Sequence, residues 1–305
     1  MYKLFKLHFN TAVHFGTGTL GDSSFTLCAD TLFSALCNEA AMAYGSKGAK
    51  RLLGCVKSGA LRITDTMPYM GDTYYIPKPQ CGPKRRKTGD SNWEKAYKKA
   101  RYIPVGGLSE FIEGNLDAAE INKKFNVGSF QSRTNVVINL PEDSKPYEIG
   151  VFRFAKGCGL YFFAELASEK EEALLTELLR SISYEGLGGR LSSGLGKFSF
   201  DVTDPTSDVM SLLERKGGLN MSLSVCMARE SELDAAVESA SYTITKRSGF
   251  VKSGTTTEAP VKKRDFYAFA AGSCFEHRFE GDVFPVSNKN SHSVYRYALP
   301  FFIGV

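Results

Sequence analysis

The pattern of apolar and polar residues predicts a series of half-buried strands in the first two-thirds of the chain. Within residues 2–9, apolar side chains alternate with Lys6 and His8, which is the period of a strand that buries one face. Two further segments flank a stretch at 140–146 with two prolines and an acidic pair, which indicates a projecting β-hairpin. The strands predicted in this part are 2–9, 61–64, 133–139, 147–154, 159–166 and 197–202.

The helical period predicts two amphipathic helices in the same part of the chain. The first covers 31–44, with Asp30 as its N-terminal cap and with Gly45 and Gly48 at its end. The second covers 169–182 and carries its apolar side chains on one side, at Leu174, Leu175, Leu178, Leu179 and Ile182.

The residues after Val202 also mix strands and helices. The sequence Asp-Pro-Thr-Ser-Asp at 204–208 marks a boundary, so the predicted domains are 1–203 and 204–305. Helices are predicted at 206–215 and 230–239, and strands at 220–227, 241–247, 265–271, 282–287 and 294–303. Because both halves mix β-strands with few helices, we predict an α+β fold.

Residues 66–128 have the pattern of a large basic insertion in the first domain. Prolines break this segment repeatedly, and only 109–114 predicts a short helix. Between 78 and 101 it holds nine lysines and arginines against two acidic residues, with aromatic residues interleaved. Such a mixture suits RNA, since cations meet phosphates and rings stack on bases; a solvated loop is the alternative. The RNA-binding candidates here are Lys84, Arg85, Arg86 and Lys87.

A glycine-rich loop at 186–196 follows the second predicted helix. Glycine admits positive φ and close backbone approach, and successive N–H groups can form an anion-binding nest. The spacing fits neither GxxxxGK[ST] nor GxGxxG, and a plain connector is the alternative. We expect the loop to bind the RNA backbone through Gly186, Gly188, Gly189, Arg190, Ser192, Ser193, Gly194, Gly196 and Lys197.

Composition limits the remaining classes of protein. The formal net charge is +5, and no run of about 18 apolar residues predicts a membrane helix. The seven cysteines include no CxxC pair, which is typical of reduced thiols in the cytoplasm rather than of disulfides or a zinc site. We therefore expect a cytoplasmic protein without a metal or a cofactor.

Several motifs carry a resemblance to a known family. They lie at 29–39, 74–79, 101–105, 146–151, 159–162, 186–198, 246–251, 271–273 and 294–305. Through them the chain is similar, over nearly its whole length, to the RAMP subunit that caps the 5′ handle of the guide RNA in type III-A CRISPR (Csm) effector complexes. The glycine loop marks the wider superfamily, whereas the helix at 29–39 and the terminal Arg-Tyr motif point to this subunit.

The resemblance implies two tandem ferredoxin-like (RRM-type) domains, with the glycine loop on the path of the RNA. It implies that the chain grips the 5′ handle of the crRNA. It further implies docking to the large polymerase-like subunit and to the backbone-forming RAMP subunit, without a catalytic role.

Two other functions stay open on the residues alone. An endoribonuclease that processes repeat RNA would need a general base such as His14, or a metal-bound carboxylate such as Asp22 or Asp30. A binder of small phosphate ligands would use the same glycine loop. We favour His14 as an RNA contact, together with Arg133 and Arg247, although Arg247 in a salt bridge between the domains is an alternative.

Overall fold

The computed structural model describes residues 1–84, 91–137, 145–251, 261–287 and 293–305. Its strands are β1 (Tyr2–Phe9), β2 (Phe15–Gly16), β3 (Ser23–Ser24), β4 (Leu61–Ile63), β5 (Met67–Met70), β6 (Thr73–Pro77), β7 (Tyr102–Pro104), β8 (Gly128–Val137), β9 (Lys145–Phe154), β10 (Cys158–Leu166), β11 (Phe198–Thr203), β12 (Asn220–Ser222), β13 (Ile244–Arg247), β14 (Phe266–Phe269), β15 (Cys274–Phe275), β16 (Asp282–Pro285), β17 (Tyr295–Ala298) and β18 (Phe302–Gly304). Its α-helices are α1 (Ala29–Lys57), α2 (Ser91–Lys99), α3 (Leu108–Glu113), α4 (Ala118–Lys124), α5 (Glu169–Glu185), α6 (Ser207–Leu213) and α7 (Leu233–Val237).

The largest sheet has the order β11-β1-β10-β5-β6-β7, and β4 also pairs with β10. Strand β1 lies antiparallel between β10 and β11, with Phe5 opposite Phe162 and Val202. Helix α1 connects β1 to β4 and β5, and α5 connects β10 to β11. This β-α-β-β-α-β connectivity around a central β1 is that of the ferredoxin-like fold.

One face of this sheet packs against α1 and α5. The rings of Phe5 and Phe162 are fully buried and stacked, with centroids 4.9 Å apart. Leu36 of α1 and Leu178 of α5 belong to the same buried cluster. The predicted apolar stripes of both helices therefore face the sheet, because burial of these stripes supplies most of a helix's stability.

The opposite face of the sheet is also covered. Tyr161 and Phe163 point to this face and are 0% exposed. They lie in one buried cluster with Phe111 of α3 and with Met221 and Ile303. The last two belong to residues 204–305, which we call the C-terminal part. The aromatic residues of the central strand are therefore core residues rather than a free platform.

Helix α1 differs from the prediction in its cap and in its total length. It begins at Ala29, and the N-cap Cys28 makes no side-chain cap hydrogen bond. Instead, the distant Asp65 accepts a hydrogen bond from the Ala29 N–H through Oδ1 at 2.7 Å, so the prediction of Asp30 as the cap is wrong. Non-helical backbone angles at Gly45 (φ 65°, ψ −162°), which glycine admits, divide α1 at a kink, and a second helical segment continues to Lys57. The break coincides with the predicted end at Gly45, whereas Gly48 lies inside the helical range.

The segment 66–128 is only partly separate from the main body. Its first strands, β5 and β6, belong to the main sheet, where Pro68 lies opposite Leu160. Strand β7 extends that sheet, and the remaining helices of the segment are α2, α3 and α4. The prediction of a single insertion was wrong at its start, because prolines were read there as breaks although the strands tolerate them.

The predicted hairpin is formed by β8 and β9, whose antiparallel register runs from Gly128 opposite Phe154 to Val137 opposite Lys145. An isolated bridge between Val13 and Phe152 fixes its base beside the end of β1. The tip at 138–144 lies outside the described residues.

The C-terminal part forms small sheets, with the pairings β15-β12-β18, β13-β14 and β16-β17. Its described residues do not form the one four-stranded sheet expected of a second ferredoxin-like domain. The strand predicted at 220–227 ends at Ser222, whose hydroxyl accepts from Ser224 N–H and donates to Ser224 O. Such local bonds compete with a ladder. The strand predicted at 294–303 is two strands, interrupted around Pro300, and β15 was not predicted.

Candidate nucleic-acid interface

A single cleft brings together three of the predicted site groups. It has a cavity volume of about 590 Å³ and lies between the first turns of α1, the glycine loop and the end of β13. His14, Gly188 and Arg247 all line it. Residues far apart in sequence thus converge at the junction of the two parts of the chain.

The glycine loop is closed by its own backbone. The Leu187 N–H donates to Gly196 O, and the Gly196 N–H donates to Ala12 O, both at 2.9 Å. Gly186 and Gly196 are buried at this neck. A β-carbon at either glycine would collide with backbone atoms across the loop, so glycine is required here for packing.

The backbone N–H groups of the loop are mostly used inside the protein. Those of Gly186, Gly189, Gly194 and Gly196 donate to carbonyl groups of the protein. Among the five glycines, only the Gly188 N–H has no partner in the described part of the chain. The prediction that all five glycines offer N–H groups to phosphate is therefore wrong, because the loop needs most of these donors to hold its own shape.

The outer side of the loop carries its exposed polar groups. Gly188 is exposed with φ 108°, and Arg190 adopts the left-handed region with φ 58°. The Arg190 guanidinium lies over the ring of Tyr147, 5.6 Å from its centroid. Ser192, Ser193 and Lys197 are exposed beside it. This arrangement places hydroxyls and cations on the side of the loop that faces solvent.

His14 is buried under the loop. Its Nδ1 lies 2.6 Å from Gly150 O, and because a carbonyl only accepts, Nδ1 carries the proton of that bond. Its backbone carbonyl accepts the Gly189 N–H at 2.8 Å. His14 therefore connects the hairpin strand β9 to the loop, and its ring lines the cleft.

Arg247 crosses from the C-terminal part to α1. Its Nε and Nη2 donate to the two oxygens of Asp30 at 3.0 and 2.8 Å, and Nη2 also donates to Thr31 Oγ1. Arg296 donates to the same Asp30 carboxylate. Burial, the largest influence, raises the pKa of Asp30, but Arg247 and Arg296 together outweigh it and lower that pKa. The salt bridge considered for Arg247 is thus present, while its side chain keeps 23% exposure in the cleft.

The remaining candidates lie elsewhere. Lys84 is exposed and lies 3.7 Å from Glu113, and it does not line the cleft. Arg133 is half-buried on β8, opposite Ile149. Arg85, Arg86 and Lys87 lie outside the described residues.

One wall of the cleft consists of residues that the sequence did not predict as site residues. Ser34, Asn38 and Glu39 of α1 and Lys263 before β14 line it. Burial, followed by repulsion from Arg296, lowers the pKa of Lys263. A signal existed for Glu39, since an acidic residue three positions after Leu36 falls beside the predicted apolar stripe. Lys263 gave none, because its position depends on contacts distant in sequence.

The described residues offer little for metal chemistry or membrane insertion. No group of three or more His, Cys, Asp or Glu side chains among them could hold a metal ion. Asp22 accepts a hydrogen bond from Thr19, and Asp30 is occupied by its two arginines. No helix in the described ranges is long and apolar enough to cross a bilayer.

Comparison with known families agrees with this fold. Residues 6–199 match the model of the RAMP superfamily, so the sheet, the helices and the glycine loop are those of a RAMP protein. Residues 215–305 match the model of the CRISPR Csm4 C-terminal domain. The chain belongs to the Csm4 family, the RAMP subunit of the type III-A CRISPR Csm complex.

Curated relatives support the assignment over the full chain. The chain is 38% identical to CRISPR system Cms protein Csm4 of Mycobacterium tuberculosis (strain ATCC 25618 / H37Rv), over 99% of this chain and 97% of that protein. It is 31% identical to the Streptococcus thermophilus protein of the same name, over 99% and 98%.

Solved structures share the fold. One is a crystal structure of a Csm3–Csm4 subcomplex of the type III-A CRISPR-Cas interference complex, with a TM-score of 0.67, 17% identity and 99% of each chain covered. Another is the Csm1–Csm4 cassette in complex with pppApA, with a TM-score of 0.61, 18% identity, and 100% and 97% covered.

Proposed function

We propose that this chain is a non-catalytic RNA-binding subunit that grips the 5′ repeat-derived handle of the crRNA in the cleft beside the glycine loop. The observation that carries the proposal is the convergence of His14, Gly188 and Arg247 on one cleft at the junction of the two parts. A cleft built from both ends of the chain suits the anchoring of one defined end of an RNA.

The outer side of the loop suits the RNA backbone. The Gly188 N–H points to no protein acceptor in the described residues, and the exposed Arg190 and the two serines add donors next to it. Most hydrogen bonds to a nucleic acid go to phosphate and sugar and fix its register. The handle backbone would follow this side of the loop.

The main sheet is unsuited to the usual RRM mode of binding. In that mode, aromatic residues of the central strands stack on bases. Here Tyr161 and Phe163 are fully buried beneath α3 and the C-terminal part. This burial supports the cleft, rather than the sheet face, as the place for RNA.

The partners follow from the similar proteins. Their solved structures contain Csm3 in one case and Csm1 in another, and we propose that this chain docks the same two kinds of subunit in the cytoplasm. Exposed apolar residues near β13 and β14 provide surface for such contacts: Tyr242, Ile244, Phe250 and Tyr267.

Catalysis by this chain has weak support. His14 has one ring nitrogen committed to Gly150 O and is 8% exposed, and the Asp30 carboxylate is held by two arginines. Pure protein incubated with repeat RNA, with Mg²⁺ or with EDTA, should leave the RNA intact. Cleavage that disappears in His14→Ala would establish the endoribonuclease alternative instead.

A salt titration tests the binding site itself. Arg190→Ala should weaken binding of handle RNA and make the log–log salt dependence shallower by about 0.7, the value for one lost phosphate contact on a single strand. Lys170→Ala is the matched control, because it removes the same charge at the other end of α5, about 25 Å from the loop. Equal slopes for the wild type and Arg190→Ala would remove the loop from the RNA path.

A further inference from the structure

Glu39 is a mostly buried residue whose carboxylate has no side-chain partner in the described residues and is not among their enclosed, unpartnered polar atoms. Its residue is only 7% exposed, and it lines the cleft. It shares one face of α1 with Ala35, Asn38 and Met42, which also line the cleft. Within the described ranges, neither an ion pair nor a hydrogen bond joins its carboxylate to another side chain. Its oxygens therefore keep access to the open cleft, where a hydrogen-bond donor of a ligand can reach them.

Asp30 and Glu39 differ in whether side chains of the protein bind their carboxylates. Asp30 lines the same cleft, but two arginines occupy its oxygens. Glu39 keeps both oxygens for the cavity. An ionised carboxylate only accepts hydrogen bonds, and it repels phosphate. In a cleft for RNA, its partner must therefore be a part of the nucleotide that donates.

We propose that Glu39 reads the Watson–Crick edge of a guanine inserted into this cleft. This inference rests on the RNA-binding function proposed above. Guanine presents two adjacent donors, N1–H and the N2 amino group, which match the two oxygens of one carboxylate. Adenine, cytosine and uracil each place an acceptor next to the donor on that edge, which would face a carboxylate oxygen unfavourably.

The cleft has the size and lining for a base. Its volume of about 590 Å³ lies within the range of roughly 300–1,000 Å³ for ligand pockets. Apolar residues from β2, α5, β17 and two loops line the same cleft, namely Phe15, Ile182, Tyr295, Leu27 and Leu187. Single-stranded RNA is read in this way, with an unstacked base packed on side chains and hydrogen-bonded at its edge.

Binding of the full-length protein to a set of short oligouridines tests the inference. Each RNA carries one guanine, inosine or adenine, moved through every position. At one position, guanine should bind about tenfold or more tightly than inosine, which lacks the N2 amino group, since a two-bond base contact discriminates by this factor.

The variant Glu39→Gln should change the preference rather than only weaken binding. An amide has only one acceptor atom for the two adjacent donors of guanine, so the contribution of the N2 amino group should be lost. The preference for guanine over inosine should therefore disappear at the same position. Glu169→Gln, the same chemical change at the exposed start of α5, should keep the wild-type preference. Circular dichroism of each variant checks that the fold is intact.

The outcomes separate the two proposals. Wild-type protein that binds the RNAs with no preference between guanine and inosine at any position overturns the role of Glu39 and leaves RNA binding in place. A Glu39→Gln variant that folds and keeps the guanine preference overturns it as well. Failure of the wild type to bind any of these RNAs or handle RNA overturns the proposed function itself.

Discussion

Two aspartates at the junction of the chain, the buried Asp30 and the half-buried Asp65, have pKa values shifted in opposite directions. Arg247 and Arg296 lower the pKa of Asp30 despite its burial. Burial raises the pKa of Asp65 to about 6, and hydrogen bonds from Ala29 N–H and Val225 N–H only partly oppose it. Asp65 uses one oxygen, Oδ1, for both bonds, at 2.7 and 2.8 Å. It thereby joins the start of α1 to the C-terminal part.

The shifted pKa of Asp65 predicts a pH dependence of stability. The unfolded chain releases this proton near pH 3.8 and the folded chain near pH 6. Between these values the folded state binds more protons, so the free energy of unfolding falls as the pH rises from about 4 to about 6. Asp65→Asn cannot ionise, and it keeps an oxygen for both N–H groups. This variant should lose that part of the pH dependence and be at least as stable as the wild type at pH 7.

Urea unfolding of the wild type and of Asp65→Asn from pH 4 to pH 7 measures the difference between their free energies of unfolding at each pH. The lowered pKa of Asp30 affects stability only at more acidic pH, because its contribution is present above its unfolded value of 3.8. Asp65→Ala, which removes the acceptor, should be less stable than Asp65→Asn throughout. A constant difference between the wild type and Asp65→Asn across the range would contradict the assigned pKa.

The glycine loop is an element held by backbone hydrogen bonds within itself and to Ala12 and His14, and one of its glycines is exposed. A β-carbon on Gly188 would lie 2.8 Å from His14 O and from the ring of Phe15, whereas Gly194 has open space around it. Both have positive φ, at 108° and 75°. Asparagine tolerates the left-handed region of Gly194, but no side chain suits Gly188. A substitution at Gly188 therefore changes the shape of the loop, whereas one at Gly194 replaces a glycine without a collision.

We expect Gly188→Ala to weaken binding of handle RNA clearly more than Gly194→Asn. The added β-carbon pushes the loop away from His14, and positive φ adds roughly 1–2 kcal/mol of strain. Fluorescence anisotropy with labelled handle RNA measures both affinities, and thermal melting checks the fold. If the two variants bind equally well while Gly188→Ala remains folded, the loop acts only as a connector.

Sequence patterns predicted those elements whose signals are local. The alternation in β1, the leucines of α5 and the hairpin β8–β9 all gave correct elements within a few residues. The errors arose where a distant residue decides the outcome. Helix α1 is capped by Asp65, from 36 positions away, so Asp30 was assigned to the wrong role. The loop was located correctly, but its internal hydrogen bonds to Ala12 and His14 depend on a segment that no local pattern connects to it.

For the whole molecule, the two parts share their cores. Tyr297 is fully buried, and its hydroxyl accepts from Ile63 N–H at 2.9 Å and donates to Ile63 O at 3.1 Å. Tyr161 of the main sheet packs in one cluster with Phe301 of the C-terminal part. Separate unfolding of either part would expose these surfaces, so we expect the chain to unfold as one unit.

Tyr297→Phe should lower the free energy of unfolding by about 1–3 kcal/mol, because it removes a hydroxyl that serves two buried backbone groups. The fluorescence of Trp93, in the N-terminal part, and far-ultraviolet circular dichroism should shift together. Tyr267→Phe, at a residue 56% exposed, should change stability by less than about 0.5 kcal/mol. Two separate transitions would show that the parts are independent domains.

The ion cluster around Asp30 limits how freely this chain can be recombined with its relatives. The two family matches meet between residues 199 and 215, which suggests interchangeable modules. Yet Asp30 lies in the first match, and Arg247 and Arg296, its two partners, lie in the second. A chimera that brings in a C-terminal half without both arginines would strand a buried carboxylate at the wall of the cleft. A functional graft therefore has to bring both matching arginines along with the C-terminal half.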